Sequence, residues 1–214
     1  MKLMMAIIRK KVLKKIIFLF IILLLLSNLS CSVFQTMNNI GRLKFKLGNV
    51  SNFTLSGITI TNKSKLADFN ALDLLKLTSS FAQENFPVSF TLNVEAVNPN
   101  DGTGGYPSTN ATLKSFEWRL LLDNKETVTG NIAQPVTVPG TGQAAIIPLQ
   151  VNMNLISFFK EKGYESLINL ALNLGGKGGS ASQITLYAKP VISTMLGDLS
   201  YPQELKIVDY EFTK

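Results

Sequence analysis

Two counts limit the chemistry that this chain can perform: its 214 residues include one cysteine and no histidine. Without histidine there is no Ser–His or Cys–His nucleophile, and the commonest general base and metal ligand is missing. Zinc is disfavoured because its sites combine several Cys and His ligands. No motif brings a serine and a lysine, or two carboxylates, together for catalysis. The sequence therefore predicts no enzymatic activity, no metal and no cofactor, and it leaves Cys31 as the one candidate site residue.

Cys31 ends an N-terminal segment that has the composition of an export signal. Residues 1–15 carry six cations and no acid, and the apolar run Ile16–Leu26 follows without interruption. Ser27-Asn28-Leu29-Ser30 then leads to the cysteine. The run has 11 residues, whereas a helix needs roughly 20 to cross the hydrocarbon core. This order predicts that residues 1–30 are a secretory signal peptide rather than a membrane span.

The residues around Cys31 resemble the lipobox of bacterial lipoproteins, in which a small residue precedes a cysteine that becomes linked to lipid. Ser30 fits this pattern, but Asn28 stands where the family usually has Leu, and Leu29 is displaced by one position. The resemblance implies a thioether between Cys31 and diacylglycerol, and a mature chain that begins at this residue. Because Ser32 rather than Asp follows, it implies an outer-membrane location facing the periplasm. The alternatives are cleavage after Ser32 without lipid, a retained membrane anchor, and a cysteine in the core.

The charge balance changes once the predicted signal peptide is set aside. The whole chain carries 21 Lys and Arg against 14 Asp and Glu, but residues 31–214 carry 15 against 14. A nearly neutral chain lacks the basic footprint of a nucleic-acid-binding protein. We expect the short polar segment 31–39 to be a tether. Residues 40–214 are enough for one domain with a sizeable core.

Alternation of apolar and polar residues predicts several strands, each with one face toward the core. Gly48-Asn49 separates the first two, Asp123-Asn124 suits a two-residue hairpin turn, and the last strand changes face near Ile207-Val208 as a bulge would. Such a series of short strands indicates an antiparallel sandwich. The predicted strands are Arg42–Leu47, Phe53–Thr61, Val88–Ala96, Leu113–Leu122, Glu126–Ile132, Ala145–Met153, Ile184–Ile192 and Glu204–Phe212.

Two segments change to helical spacing. The first, Leu66–Ala82, has Ser64 or Asp68 as candidate caps. The second, Leu155–Leu174, has Asn154 as its cap and Gly163 as a break. The second half of this segment is apolar almost all round, so it either plugs one end of the sandwich or contacts lipid or a partner; we favour the plug. The apolar face of the first helix is expected to hold Leu66, Phe69, Leu72, Leu75, Leu77 and Phe81.

The sequence Asn98-Pro99-Asn100-Asp101-Gly102 ends the third predicted strand. Proline cannot join a strand ladder, and Asn, Asp and Gly favour turns. The oxygens of Asn98, Asn100 and Asp101 are also of the type that binds Ca²⁺, but the segment lacks the acidic density of a calcium loop. We therefore expect a turn and no metal.

Three stretches of the chain resemble the late embryogenesis abundant type 2 family, also called the water stress and hypersensitive response domain. They are VSFTLNVEAVNPND (Val88–Asp101), LLLDNKETVTGNI (Leu120–Ile132) and AAIIPLQVNMNL (Ala144–Leu155). The resemblance implies an antiparallel immunoglobulin- or fibronectin-like β-sandwich, here with two added α-helices. It also implies a link to desiccation and stress responses without an established enzymatic activity.

The leading hypothesis is a lipoprotein of the bacterial envelope, tethered to the membrane through Cys31, whose sandwich domain has a non-enzymatic binding or stress-protective role. Its partner would be an envelope protein or a lipid, and not a nucleic acid. The alternative is a lipid-binding or lipid-transfer protein that shelters acyl chains beside the helix Leu155–Leu174. A filled core favours the first hypothesis, and a continuous apolar cavity favours the second.

Overall fold

The computed structural model describes residues 14–15, 42–103, 108–177, 179, 183–194 and 197–213. The chain divides into two compact units, residues 1–41 and 42–214. All the buried apolar side chains of the described residues lie in the second unit, which therefore contains its own hydrophobic core.

Ten strands, all within the second unit, form two antiparallel sheets in the described residues. Their bounds are β1 Lys44–Leu55, β2 Ile58–Thr59, β3 Pro87–Val97, β4 Ala111–Leu122, β5 Lys125–Gly130, β6 Val136–Val138, β7 Ala144–Asn154, β8 Ile184–Thr194, β9 Gly197–Ser200 and β10 Leu205–Ile207. The first sheet has the order β2-β1-β3-β7 and the second the order β10-β8-β4-β5. In addition, β6 pairs with β4, and β9 pairs with β8. The mainly β prediction is confirmed.

The apolar sides of the two sheets face each other. The rings of Phe45 on β1 and Phe116 on β4 lie 5.4 Å apart, across the two sheets. On β3 the inward residues predicted from alternation, from Val88 to Ala96, are all 2% exposed or less. Phe90 among them stacks on Phe53 at 5.0 Å. The arrangement is sandwich-like, with its core between the sheets.

The predicted hairpin after the fourth predicted strand is confirmed. Asp123 and Asn124 join β4 to β5 with φ angles of 52° and 62°. A type I′ turn requires positive φ at both positions, which Asp and Asn tolerate better than most residues.

The prediction that Gly48-Asn49 separates two strands is wrong. A single strand, β1, runs through these residues, and its register against β3 shifts between Leu47 and Val50 and again between Ser51 and Thr54. Extra residues accommodated as bulges let the pairing continue where a turn was expected. The turn comes later, at Ser56-Gly57, where the φ angles are 47° and 73°.

The closing strand is much shorter than the predicted Glu204–Phe212. Only Leu205–Ile207 pair with β8, as β10. The chain then crosses to the edge of β1: the Leu47 N–H donates to the Val208 carbonyl at 2.8 Å, and the Thr213 N–H to the Phe45 carbonyl at 2.9 Å. The predicted change of face at Ile207-Val208 is thus a crossing between sheets rather than a bulge.

The first helix, α1, spans Ala71–Ala82 and does not begin at Leu66. Asn70 caps it, because its Oδ1 accepts a hydrogen bond from the Asp73 N–H at 2.8 Å. The residues before it form a separate 3-10 helix, Leu66–Asp68. The predicted caps belong to this short helix: Asp68 Oδ2 accepts from the N–H of Ser64 at 2.8 Å.

The predicted helix Leu155–Leu174 is two helices, α2 (Leu155–Phe158) and α3 (Tyr164–Gly175). Asn154 caps α2 as predicted, since its Oδ1 accepts from the Ile156 N–H at 3.2 Å. Gly163 marks the break as predicted, and it is the N-cap of α3. The described residues therefore form three α-helices where two were expected.

Candidate functional site

Cys31, the residue predicted to carry lipid, lies outside the described residues. Its modification therefore stays a prediction. The second unit begins at Arg42, 11 positions after Cys31. No helix formed by the described residues combines the length and the hydropathy needed to cross a bilayer.

A buried polar cluster, the Asn98 cluster, joins three segments at the end of the sandwich where Arg42 enters. Asn98 Nδ2 donates to the carbonyl oxygens of Thr109 at 2.7 Å and Val138 at 3.4 Å. Asn98 Oδ1 accepts from the Asn100 N–H at 3.1 Å, and Asn100 Oδ1 accepts from Arg42 Nη1 at 2.6 Å. Asn98 is fully buried and Asn100 is 2% exposed. Because buried backbone groups need partners, this cluster stabilises the loops rather than presenting free ligands.

The neighbouring carboxylate is engaged in the same way. Asp101 Oδ1 accepts hydrogen bonds from the Thr103 hydroxyl at 2.7 Å and from its N–H at 3.0 Å. These bonds, that of the hydroxyl foremost, hold the pKa of Asp101 below its usual value. Within the described ranges, no three His, Cys, Asp or Glu side chains gather as a metal site would require. β3 ends at Val97, as the turn interpretation predicted.

Helix α3 is buried on most sides. Leu167, Ile168 and Ala171 have no accessible surface, and the exposed stripe holds Glu165, Ser166, Asn169 and Asn173. A side chain that lined a space large enough for water would keep accessible surface, so these three contact protein all round. At the end of the helix, Gly175 lies against the Phe53 ring so closely that a Cβ there would overlap the ring.

Helix α1 turns two leucines to solvent. Leu72 is 77% exposed and Leu75 is 68% exposed, whereas Leu77 is fully buried. The exposed residues of the helix define the α1 outer face. They are Ala71, Leu72, Leu75, Lys76, Thr78, Ser79 and Ala82.

The predicted apolar face of the first helix is therefore partly wrong, and helix geometry shows why. At about 100° per residue, Leu77 lies roughly 140° around the helix from Leu72 and 160° from Leu75. One face cannot hold all three. This angular separation is the sequence signal that sets Leu72 and Leu75 apart from Leu77.

A charged cluster that the sequence did not reveal lies on the outer face of the second sheet. Arg119 Nη1 donates to Glu126 Oε2 at 2.8 Å, and Arg119 Nη2 donates to Glu204 Oε2 at 3.0 Å. The guanidinium stacks on the Tyr187 ring at 4.1 Å. Its hydrogen bond to Glu204 is the main cause that raises the pKa of Arg119. These residues come from β4, β5, β8 and the loop before β10, so only the folded sheet brings them together.

The outer face of the first sheet is mostly neutral instead. Gln150 Nε2 donates to Thr91 Oγ1 at 3.1 Å, and Asn93 Nδ2 donates to Asn49 Oδ1 at 3.0 Å. These amides and hydroxyls satisfy one another across neighbouring strands. The two faces of the sandwich thus offer different chemistry, one mostly amide and hydroxyl, the other charged.

Comparison with known proteins gives no family. No family model matches the chain, and no curated protein matches it. Among solved structures, a protein from Archaeoglobus fulgidus is 12% identical, with a TM-score of 0.31 over 76% of this chain and 96% of its own. A target of the Northeast Structural Genomics Consortium is 10% identical, with a TM-score of 0.33 over 78% of this chain and 87% of its own. Both scores lie below 0.5, so neither protein lends an argument to the fold or function of this chain.

Proposed function

We propose that this chain is a lipoprotein of the bacterial envelope, held at the membrane by lipid on Cys31, whose sandwich domain has a non-enzymatic binding or stress-protective role. One observation carries the proposal. A cationic and then apolar segment ends in the only cysteine of the chain, and a compact unit with its own core begins 11 residues later. Two or more acyl chains on one cysteine give a durable anchor, because each buried methylene contributes about 0.8 kcal/mol.

The domain itself is proposed to be immunoglobulin- or fibronectin-like and related to the late embryogenesis abundant type 2 family. The strand order supports this. In the first sheet, β1, β3 and β7 take the places of strands A, B and E. In the second sheet, β5, β4, β8 and β10 take those of C′, C, F and G. The Asn-Pro-Asn motif also gains a physical role in this proposal, since Asn98 holds the loop at the end of strand B.

The lipid-handling alternative has less support. It needs apolar side chains of α3 that face a cavity, but Leu167, Ile168 and Ala171 have no accessible surface. The close packing around this helix supports the interpretation that α3 closes one end of the sandwich core. That interpretation in turn favours a binding or protective domain. The partner of that domain in the envelope would be a protein or a lipid.

Labelling of the full chain in bacteria tests the anchor. We expect the wild-type chain to incorporate labelled fatty acid and to sediment with membranes. The variant Cys31→Ser should lose the label and either leave the membrane fraction or accumulate as an unprocessed precursor. Ser32→Ala, one residue away, is the control and should keep the label. An unlabelled wild-type chain, or label retained by Cys31→Ser, would contradict the proposal.

A further inference from the structure

The α1 outer face is apolar without being part of the core. Leu72 and Leu75 lie one turn apart and are more than two-thirds exposed, while the opposite side of α1 packs inward through Leu77. The helix is fixed in this orientation. Asn70 caps its start, and the Phe81 ring contacts the Tyr164 ring of α3 at 5.5 Å. The two leucine side chains are therefore exposed to solvent on a rigid helix. In that position they contribute no hydrophobic stabilisation to the unbound domain, and exposed apolar surface of this kind often marks an interaction site.

The charge of this face indicates which kind of partner could bind it. Lys76 is its only charged residue, and the other side chains of this face are apolar or hydroxyl-bearing. Leucines beside a lysine, with no acid among them, match the interface of a bilayer, where acyl chains lie below phosphate groups. A surface that docked a basic partner would need carboxylates here.

We propose that the α1 outer face contacts the lipid surface to which the chain is tethered, an inference that rests on the proposed function. Two leucines and one lysine form a weak site alone. An anchored tether still keeps the site near the bilayer, so even a weak contact biases the orientation of the domain.

The tether is long enough for this contact. Helix α1 lies near the Leu55 end of β1. Lys76 Nζ is 3.2 Å from the point where a Cβ atom would lie if Gly57 had a side chain. The tether joins at the opposite end, beside Arg42. Strand β1 has 12 residues, or about 40 Å at roughly 3.3 Å each. Residues 31–41 span at most about 36–40 Å, no more than this length of β1. The end that carries α1 therefore reaches the same membrane when the tether is fully extended, or when the long axis of the domain tilts toward the membrane.

Vesicles that stand in for the membrane test the contact. Residues 32–214 with an N-terminal histidine tag are bound to vesicles of phosphatidylethanolamine and phosphatidylglycerol that contain a few nickel-chelating lipids. Bromine on the acyl chains quenches tryptophan that enters them. We expect at least twofold quenching of the emission that Leu75→Trp adds to that of the parent. Ile146→Trp is the matched control, because Ile146 is 52% exposed on β7 and lies away from α1. This control and the parent, whose Trp118 is buried, should keep their emission.

A second variant removes the contact. The comparison is made without nickel lipid, at lipid concentrations high enough for the parent to bind measurably. Leu72→Ser combined with Leu75→Ser should then lower the fraction bound to the vesicles at least fivefold. Its unfolding midpoint should be unchanged, because both side chains are already exposed. Unquenched emission from Leu75→Trp, or equal binding by the double variant, overturns the inference. So does a dimer that the double variant dissociates, since the occupant would then be a second copy. None of these results depends on Cys31, so they leave the anchor to its own labelling test.

Discussion

Asn98 shows how one side chain can hold an end of the sandwich together. Its side-chain amide donates to the carbonyls of Thr109 and Val138 and accepts from the N–H of Asn100. The side chain is fully buried. Three backbone groups from separate segments therefore depend on one side chain. Such groups are costly when they are buried without a partner.

The size of that dependence can be measured. Asn98→Ala should lower the free energy of unfolding by about 2–4 kcal/mol. The Asn100 N–H and the Val138 carbonyl lose a buried partner and the Thr109 carbonyl a part-buried one, at about 1 kcal/mol or more each. Asn93→Ala is the control, since Asn93 bonds to the side chains of Asn49 and Ser51 near the surface. It should cost about 0.5 kcal/mol or less. If a urea titration gave the two variants equal losses in the free energy of unfolding, the buried bonds of Asn98 would contribute no more to stability than the surface bonds of Asn93.

Residue types alone predict the turn at Asn98 but not its partners. Proline and the asparagines indicate where β3 stops, because these residues disfavour a ladder and favour turns. Thr109 and Val138 lie 11 and 40 positions from Asn98, and nothing in the local sequence marks them. The Arg119 cluster was missed for the same reason, since Glu204 is 85 positions away.

Among the elements, those with a clear period were predicted well. The sequences of β3, β7 and β8 alternate throughout, and that of β4 alternates from Phe116 onward. The side chains of these strands that face the core therefore follow from the sequence. Elements without a clear period were not. Gly48-Asn49 has turn composition but lies in a bulge, because pairing with β3 on both sides outweighs local preference. The strand at Leu205–Ile207 is short because the segment after it pairs with β1 instead.

Helix α3 is the element whose role separates the two candidate functions most directly. If it only plugs the core, Leu167→Asp should unfold the domain, because a buried carboxylate without a partner costs several kcal/mol. Asn169→Asp, two positions away on the exposed stripe, should leave the free energy of unfolding within about 0.5 kcal/mol of that of the parent. Circular dichroism and denaturant titration measure both. A stable, folded Leu167→Asp domain would mean that Leu167 faces a space rather than packed protein.

At the scale of the whole molecule, the surface of the domain is divided by chemistry and position. The outer faces carry an amide and hydroxyl ladder on one side and the Arg119 cluster on the other. The leucines of α1 lie at the end opposite to Arg42. A tethered domain whose α1 end contacts lipid would turn these two faces sideways, into the aqueous space, where they can meet soluble or membrane-bound partners.

Lipid content distinguishes a domain that touches a membrane from one that carries lipid. A carrier retains acyl chains in an interior cavity through purification, whereas contact through two exposed leucines is reversible and is lost without a bilayer. Residues 42–214, purified from bacteria without detergent, should therefore yield less than one lipid per ten protein molecules on organic extraction and mass spectrometry. The expectation follows from Leu167, Ile168 and Ala171, which have no accessible surface for a ligand to occupy. The double variant Leu72→Ser with Leu75→Ser is the control for adventitious lipid on the α1 outer face. One lipid per protein in both samples would place a ligand inside the sandwich and favour lipid transfer over a binding or protective role.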